Sequence, residues 1–156
     1  MTGPVPTDRT GSLANGQGQP AYAVVLPALD IIARRWCEIE PLLKKATDRT
    51  AGYEPIDLFR LVMLGQRILW LVEHGSEIAA VAVGELKPYP RCRVLEVPFI
   101  AGRGLKAWHQ QLLDALDAYA RATGCSALMG FDRRGWEHYG FREIGVVLER
   151  RLEPLQ

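Results

Sequence analysis

A basic, glycine-flanked step, Gly102-Arg103-Gly104, stands directly before the longest amphipathic stretch of the chain. A loop that turns into a helix presents unpaired backbone N–H groups and the positive end of the helix dipole, a combination that holds phosphate groups without a dedicated side chain. Arg103 and Lys106 add charge to such an anion site. Glu96 is the leading acid–base candidate. Strand alternation places it on the face of Val94 and Ile100, where an unpaired carboxylate is costly and therefore a candidate for function. If that face meets solvent instead, Glu96 is an ordinary surface acid. Glu73 and Glu85 are secondary candidates of the same kind. His74 falls in a turn, His109 on a helix surface and His138 in the turn before Gly140, and none forms a triad pattern with a cysteine or serine.

The elements that must position these residues follow from periodicity and punctuation. Residues 21–26 are a short β-branched run ended by Pro27 and read as the first strand. From 28 to 47 the spacing Leu29, Ile32, Trp36, Ile39, Leu43 marks one buried helical face, with Pro41 expected to bend or interrupt it. Residues 55–64 read as a second helix, with Pro55 in its first turn and Gly65 as its stop. Strands at 68–73 and 78–86 flank the turn His74-Gly75-Ser76-Glu77 and pair antiparallel. Lys87-Pro88-Tyr89-Pro90 is expected to break the second of them, and 93–99 resumes as the next strand. Residues 105–122 form the best helix, with Leu105, Trp108, Leu112, Leu116 and Tyr119 on one stripe and Gly124 as its stop. A strand at 125–131, a turn or single helical turn at 135–139 and a last strand at 141–152 complete the order β-α-α-β-β-β-α-β-α-β. That order belongs to an α/β or α+β domain.

The 156 residues, 48% of them apolar, suit one compact domain over 21–156. Residues 1–20 are rich in Gly, Pro, Ser, Thr, Asn and Gln and read as a flexible arm, either a loose terminus or one that orders against a neighbouring subunit. A net charge of +1 demands neither nucleic acid nor an acidic membrane as partner, and no dense basic stripe with stacking aromatics is present. Cys37, Cys92 and Cys125 are odd in number and far apart, so buried reduced thiols are expected rather than disulfides or a metal site. No apolar run reaches the roughly twenty residues of a membrane span. A soluble, cytoplasmic protein is the expectation.

On the element order, the loop before the long helix and the hexapeptide Trp136-Glu137-His138-Tyr139-Gly140-Phe141, residues 21–152 resemble the GNAT superfamily of acyl-CoA-dependent N-acyltransferases. They also resemble small GNAT-like proteins of tailed bacteriophages, in the Trp-bearing helix after a Gly-Leu step and the Gly-Trp-Glu run before Gly-Phe. The resemblance implies a mixed, mostly antiparallel sheet of about six strands. It also implies acetyl-CoA in a notch between strands 93–99 and 125–131, held by Val97, Phe99, Arg103, Gly104, Leu105, Lys106 and Ala107. Backbone amides of the first of those strands would polarise the acyl carbonyl, and Glu96 would serve as base through a water. The superfamily loop has the form Arg/Gln-x-x-Gly-x-Gly/Ala, and aligned on Arg103-Gly104 its later small positions fall at Lys106 and Trp108. Trp108 reads as an indole packing the helix onto the sheet.

In many members a tyrosine five residues before the phenylalanine of the last motif protonates the departing thiolate. Here that position is Trp136, whose indole cannot act as a general acid. Tyr139 is the candidate replacement, or a side chain that closes the core above the final strand. Arg133-Arg134 would touch a 3′-phosphate or an acidic partner, or form part of a solvated rim. Two functions are implied: a divergent acetyl-CoA-dependent N-acetyltransferase acting on a small-molecule or protein amine, or an inactive GNAT-like scaffold. The second would be phage-encoded or virion-associated, reaching virion proteins through the N-terminal arm.

Overall fold

A computed structural model describes residues 21–50, 52–130 and 134–145. In chain order they form β1 (Tyr22–Val25), α1 (Leu29–Arg34), α2 (Trp36–Thr47), α3 (Pro55–Met63), β2 (Ile68–His74), β3 (Glu77–Tyr89), β4 (Cys92–Gly102), α4 (Leu105–Ala122), β5 (Ala127–Met129) and a 3-10 helix, Arg134–Tyr139. The five strands lie side by side in sequence order. All neighbours are antiparallel except β4 and β5, which α4 connects as a parallel pair.

Both faces of this sheet are covered, which explains why β2 is an unbroken apolar run rather than an alternating one. Leu69 and Leu71 join Val81 and Val83 under α2 and α3, against Ile39, Leu43 and Leu58. Trp70 and Val72 join Ala80 and Ala82 under α4, against Trp108, Leu112 and Leu116. The α4 stripe is narrower than the spacing implies, because Leu105 at its start is 37% exposed. α3 follows its sequence signals closely. Glu54 and Asp57 make a reciprocal capping box, Pro55 occupies the first turn, and Gly65 takes a left-handed φ of 71° while Gln66 N–H bonds the Leu61 carbonyl.

The structure corrects several expectations. The first helical region divides at Arg35, not at Pro41, which lies inside α2. The guanidinium of Arg35 holds the break by bonding Glu38, Glu73 on β2 and the Ser76 carbonyl. Lys87 and Pro88 continue β3 instead of breaking it, paired with Val94 and Arg93. β2 leaves off opposite Gly84, so Pro88 has no neighbour on that side to want its missing N–H. Five strands are present among the described residues. Residues 141–145 are not strand, and the rest of the expected 141–152 strand lies outside the described residues, as do Arg133 and the N-terminal arm. The three thiols are free; Cys37 and Cys92 are exposed rather than buried, whereas the half-buried Cys125 packs against the core under α4. No helix among the described residues is long and apolar enough to cross a membrane.

Candidate functional site

β4 carries one extra residue at its middle. Val83 faces Phe99 whereas Glu85 faces Glu96, so Gly84 alone stands opposite both Val97 and Pro98. A side chain at Gly84 would place its Cβ 2.6 Å from the Glu96 carbonyl oxygen, so glycine is required for this approach. The bulge reverses the alternation of β4. Leu95 and Val97 pack toward α4, whereas Phe99 and Ala101 pack toward α2 and α3. Glu96, opposite Glu85, therefore lies on the same face as Val83 and Phe99, and Ile100 packs on the other side. Strict alternation had put Glu96 and Ile100 together; the bulge separates them.

At the bulge the sheet also opens. β4 and β5 pair only from Val94↔Ala127 to Glu96↔Met129, and β4 then runs on to Gly102 with no described strand along that edge. Arg103 N–H donates to the Ala79 carbonyl on β3, and the Ile100 carbonyl accepts from Arg49. By alternation the backbone groups of Phe99 and Ala101 turn toward β3, while those of Ile100 and Gly102 turn to the open edge. Phe99 is thus placed away from the gap: its backbone pairs with Val83 and its ring meets Tyr53 at 5.2 Å. Val97 stands just past the last β4–β5 rung.

The gap leads to the start of α4. Gly104 is the N-cap with a φ of 69°, and the first turn holds no carboxylate. Ala107 N–H is bonded to the Gly104 carbonyl, which leaves the amides of Leu105 and Lys106 without an intrahelical acceptor. Trp108 is buried, with its Nε1 donating to the Arg103 carbonyl at 2.6 Å, so it is the packing indole the stripe implied. A groove of about 370 Å³ lies beside it, lined by Lys45 in the last turn of α2, Arg49 just beyond that helix, Ile100 to Gly102, Leu105, Trp108 and Trp136. Lys45 and Arg49 were not singled out from the sequence. Their i, i+4 spacing on the polar side of α2 was the available signal, and only the packing shows which end of the sheet they reach.

Trp136 to Tyr139 of the hexapeptide end the 3-10 helix, Gly140 turns with a φ of 87°, and the segment lies against α4. Tyr139 meets His109 with ring centroids 4.2 Å apart in a tilted arrangement, and Trp136 meets Tyr139 at 5.6 Å and Phe141 at 5.8 Å. Trp136, not Tyr139, reaches the groove.

Glu96 is the buried acid of the site, 4% exposed. Lys87 Nζ lies 3.4 Å from both of its carboxyl oxygens. Its proton affinity is raised by burial, against the lowering charge of Lys87, with the neighbouring Glu85 carboxyl adding a smaller push upward. The Lys87 ammonium is raised in turn, chiefly by the charge of Glu96. Glu85 is engaged by Arg67, whose Nη1 lies 2.6 Å from Glu85 Oε1 in ionic contact without hydrogen-bond geometry. Glu73 belongs to the Arg35 clamp, away from the gap.

No family model matches the chain, and no curated protein matches it. Solved structures do. A ribosomal-protein-alanine N-acetyltransferase from Brucella melitensis biovar Abortus 2308 matches 85% of this chain and 100% of its own at a TM-score of 0.66 and 19% identity. A GNAT family acetyltransferase from Staphylococcus aureus matches 85% of this chain and 99% of its own, TM-score 0.64, identity 11%. A predicted acetyltransferase with acetyl-CoA from Clostridium acetobutylicum matches 83% and 96%, TM-score 0.62, identity 14%. At these identities the likeness is one of fold, and the fold is GNAT.

Proposed function

We propose that this chain is an acetyl-CoA-dependent N-acetyltransferase acting on an amine. One observation carries the reading: β4 and β5 part immediately after Glu96↔Met129, so the buried carboxyl stands at the apex of a gap whose mouth is the start of α4. Acetyl-CoA would supply an acyl group activated as a thioester. The residues present suit its phosphates, since Leu105 and Lys106 offer amides, Lys45, Arg49, Arg103 and Lys106 offer cations, and Gly104 keeps the approach open. Along the open edge the Ile100 N–H would polarise an acyl carbonyl, where the family resemblance implies the backbone amides of the 93–99 strand. Glu96 takes the proton from an incoming ammonium, directly or through water, and its raised proton affinity suits that task. Trp136 has no acidic proton, and Tyr139 is turned against His109, so the second proton of the reaction comes from water.

The indoles of Trp108 and Trp136 in the groove support a second reading, a non-catalytic GNAT-fold scaffold of a phage or virion whose residues 1–20 contact partner proteins. Acetyl-CoA separates the two. At about a hundred times its dissociation constant it should stabilise the enzyme by nearly 3 kcal/mol, read as a melting shift. Turnover on simple amines excludes the scaffold; no shift at millimolar acetyl-CoA removes the enzyme.

A further inference from the structure

Glu85 and Glu96 occupy directly opposed positions of β3 and β4, on the face under α2 and α3. Side chains so paired stand within contact distance, and two like charges there repel. The surroundings are unequal. Arg67, whose side chain is 11% exposed, touches Glu85 at 2.6 Å, and a guanidinium is never deprotonated. Glu96 is more deeply buried, and among the described residues its cationic neighbour is Lys87 at 3.4 Å, whose side chain is 44% exposed. Burial therefore penalises charge most at Glu96, while Arg67 favours charge at Glu85.

We infer that Glu85 is a positioning residue for Glu96, the two carboxyls forming a hydrogen-bonded pair in which Glu96 carries one proton and donates it to a Glu85 carboxylate anchored by Arg67. The pair itself rests only on this geometry; its use in moving a substrate proton rests on the acetyltransferase reading above. In that use the ionised Glu96 breaks an N–H bond of the ammonium and forms its own O–H bond, and Glu85 then accepts the new hydrogen bond. Deprotonated Glu96 is held between Lys87 and the repulsion of Glu85, so it is a stronger base than a lone surface carboxylate. The charged and titratable groups facing the pair are Glu85 and Lys87 from β3, Arg67 from the turn before β2, and Tyr53, whose hydroxyl lies 3.4 Å from Arg67 Nη2. β5 brings Met129 to the same rung, which adds no charge.

The experiment is a carboxyl-carbon NMR titration of glutamate-labelled, ligand-free protein, followed by pH–rate profiles. Glu96 should titrate above the ordinary carboxylate range in the wild type. Glu85→Gln should shift that midpoint down, Glu85→Asp should keep it raised, and Lys87→Met should move it up. Because Glu85→Gln leaves Arg67 without its anion and is open to misfolding, a solvent-deuterium isotope shift at the Glu85 carboxyl carbon of the wild type, expected while Glu96 is protonated, provides the second measurement. An unchanged Glu96 midpoint in folded Glu85→Gln, or no deuterium isotope shift at the Glu85 carboxyl carbon while Glu96 is protonated, overturns the pairing. If the midpoints move as stated while no amine is turned over, the pairing stands and the acetyltransferase reading falls. If turnover occurs, the acid limb of the rate profile should move with the Glu96 midpoint, and a fixed limb would overturn the positioning role.

Discussion

The indole Nε1 of Trp108 donates to the carbonyl of Arg103 at 2.6 Å, tying the second turn of α4 back to the loop that opens it. The same ring is 1% exposed and packs against the sheet beside Leu112 and Leu116. One side chain thus fixes both the position of the helix and the shape of its N-terminal mouth. Trp108→Phe should lower stability by about 1–3 kcal/mol, from a lost hydrogen bond and a smaller core side chain. Urea unfolding at unchanged m checks it; a loss under about 0.5 kcal/mol contradicts the tie.

Gly102 ends β4 where it crosses closest to β3. A Cβ there would sit 2.3 Å from the Ala80 Cβ and 2.6 Å from the Ala79 carbonyl oxygen, and backbone must shift to admit it. Gly102→Ala should cost about 1–3 kcal/mol and weaken any ligand held in the adjoining groove. Thermal melting together with a binding titration tests both parts.

Stability should depend on pH through Glu96. Folding raises its proton affinity, chiefly by burial, so its contribution is fully present below the unfolded carboxylate range and is lost as pH rises through the raised midpoint. The raised Lys87 has the same sign but acts only in the alkaline range, lost as pH rises through its folded midpoint. Glu96→Gln should therefore flatten the fall in Tm from about pH 4 to pH 7. A mutant curve parallel to the wild type would refute this assignment.

Lys45 and Arg49 bring positive charge to the groove from the far side of β4. Replacing either by Gln should weaken CoA about five- to tenfold, roughly 1–1.4 kcal/mol, and leave pantetheine binding unchanged. Calorimetry with the two ligands is the measurement, and equal losses for both would assign these cations another role.

On the acetyltransferase reading, Trp136 stands where a proton donor would be wanted. Trp136→Tyr puts a phenol there and should raise the turnover rate about tenfold or more, with little change in KM for the donor. A slower variant of unchanged stability would show that the indole itself contributes to binding.

Much of the architecture was legible in the linear chain because its signals are local. The α4 stripe, the capped and glycine-terminated α3, the Gly75 turn with its φ of 62° and the existence of a strand after α4 all follow from spacing and punctuation within a few residues. Glu96 and the Gly104 helix mouth were also marked, as was the packing role of Trp108. The break at Arg35 was not, because its guanidinium is satisfied by Glu73 and Ser76, far along the chain. Nor was the persistence of β3 through Pro88, which depends on where β2 happens to leave off.

The residue types and periods by themselves determined the helices and strands of an α/β or α+β domain, one antiparallel hairpin within it, a helix start with free amides and an acid on the preceding strand; the mostly antiparallel sheet was what the family resemblance implied. Only the tertiary structure decided which way that acid points. A single extra residue at Val97-Pro98 turns Glu96 toward Glu85 and away from Ile100, and the parting of β4 from β5 begins at that rung. Register between strands is a long-range property, set by which pairing buries the most side chains against both helical layers, and no local window of sequence contains it.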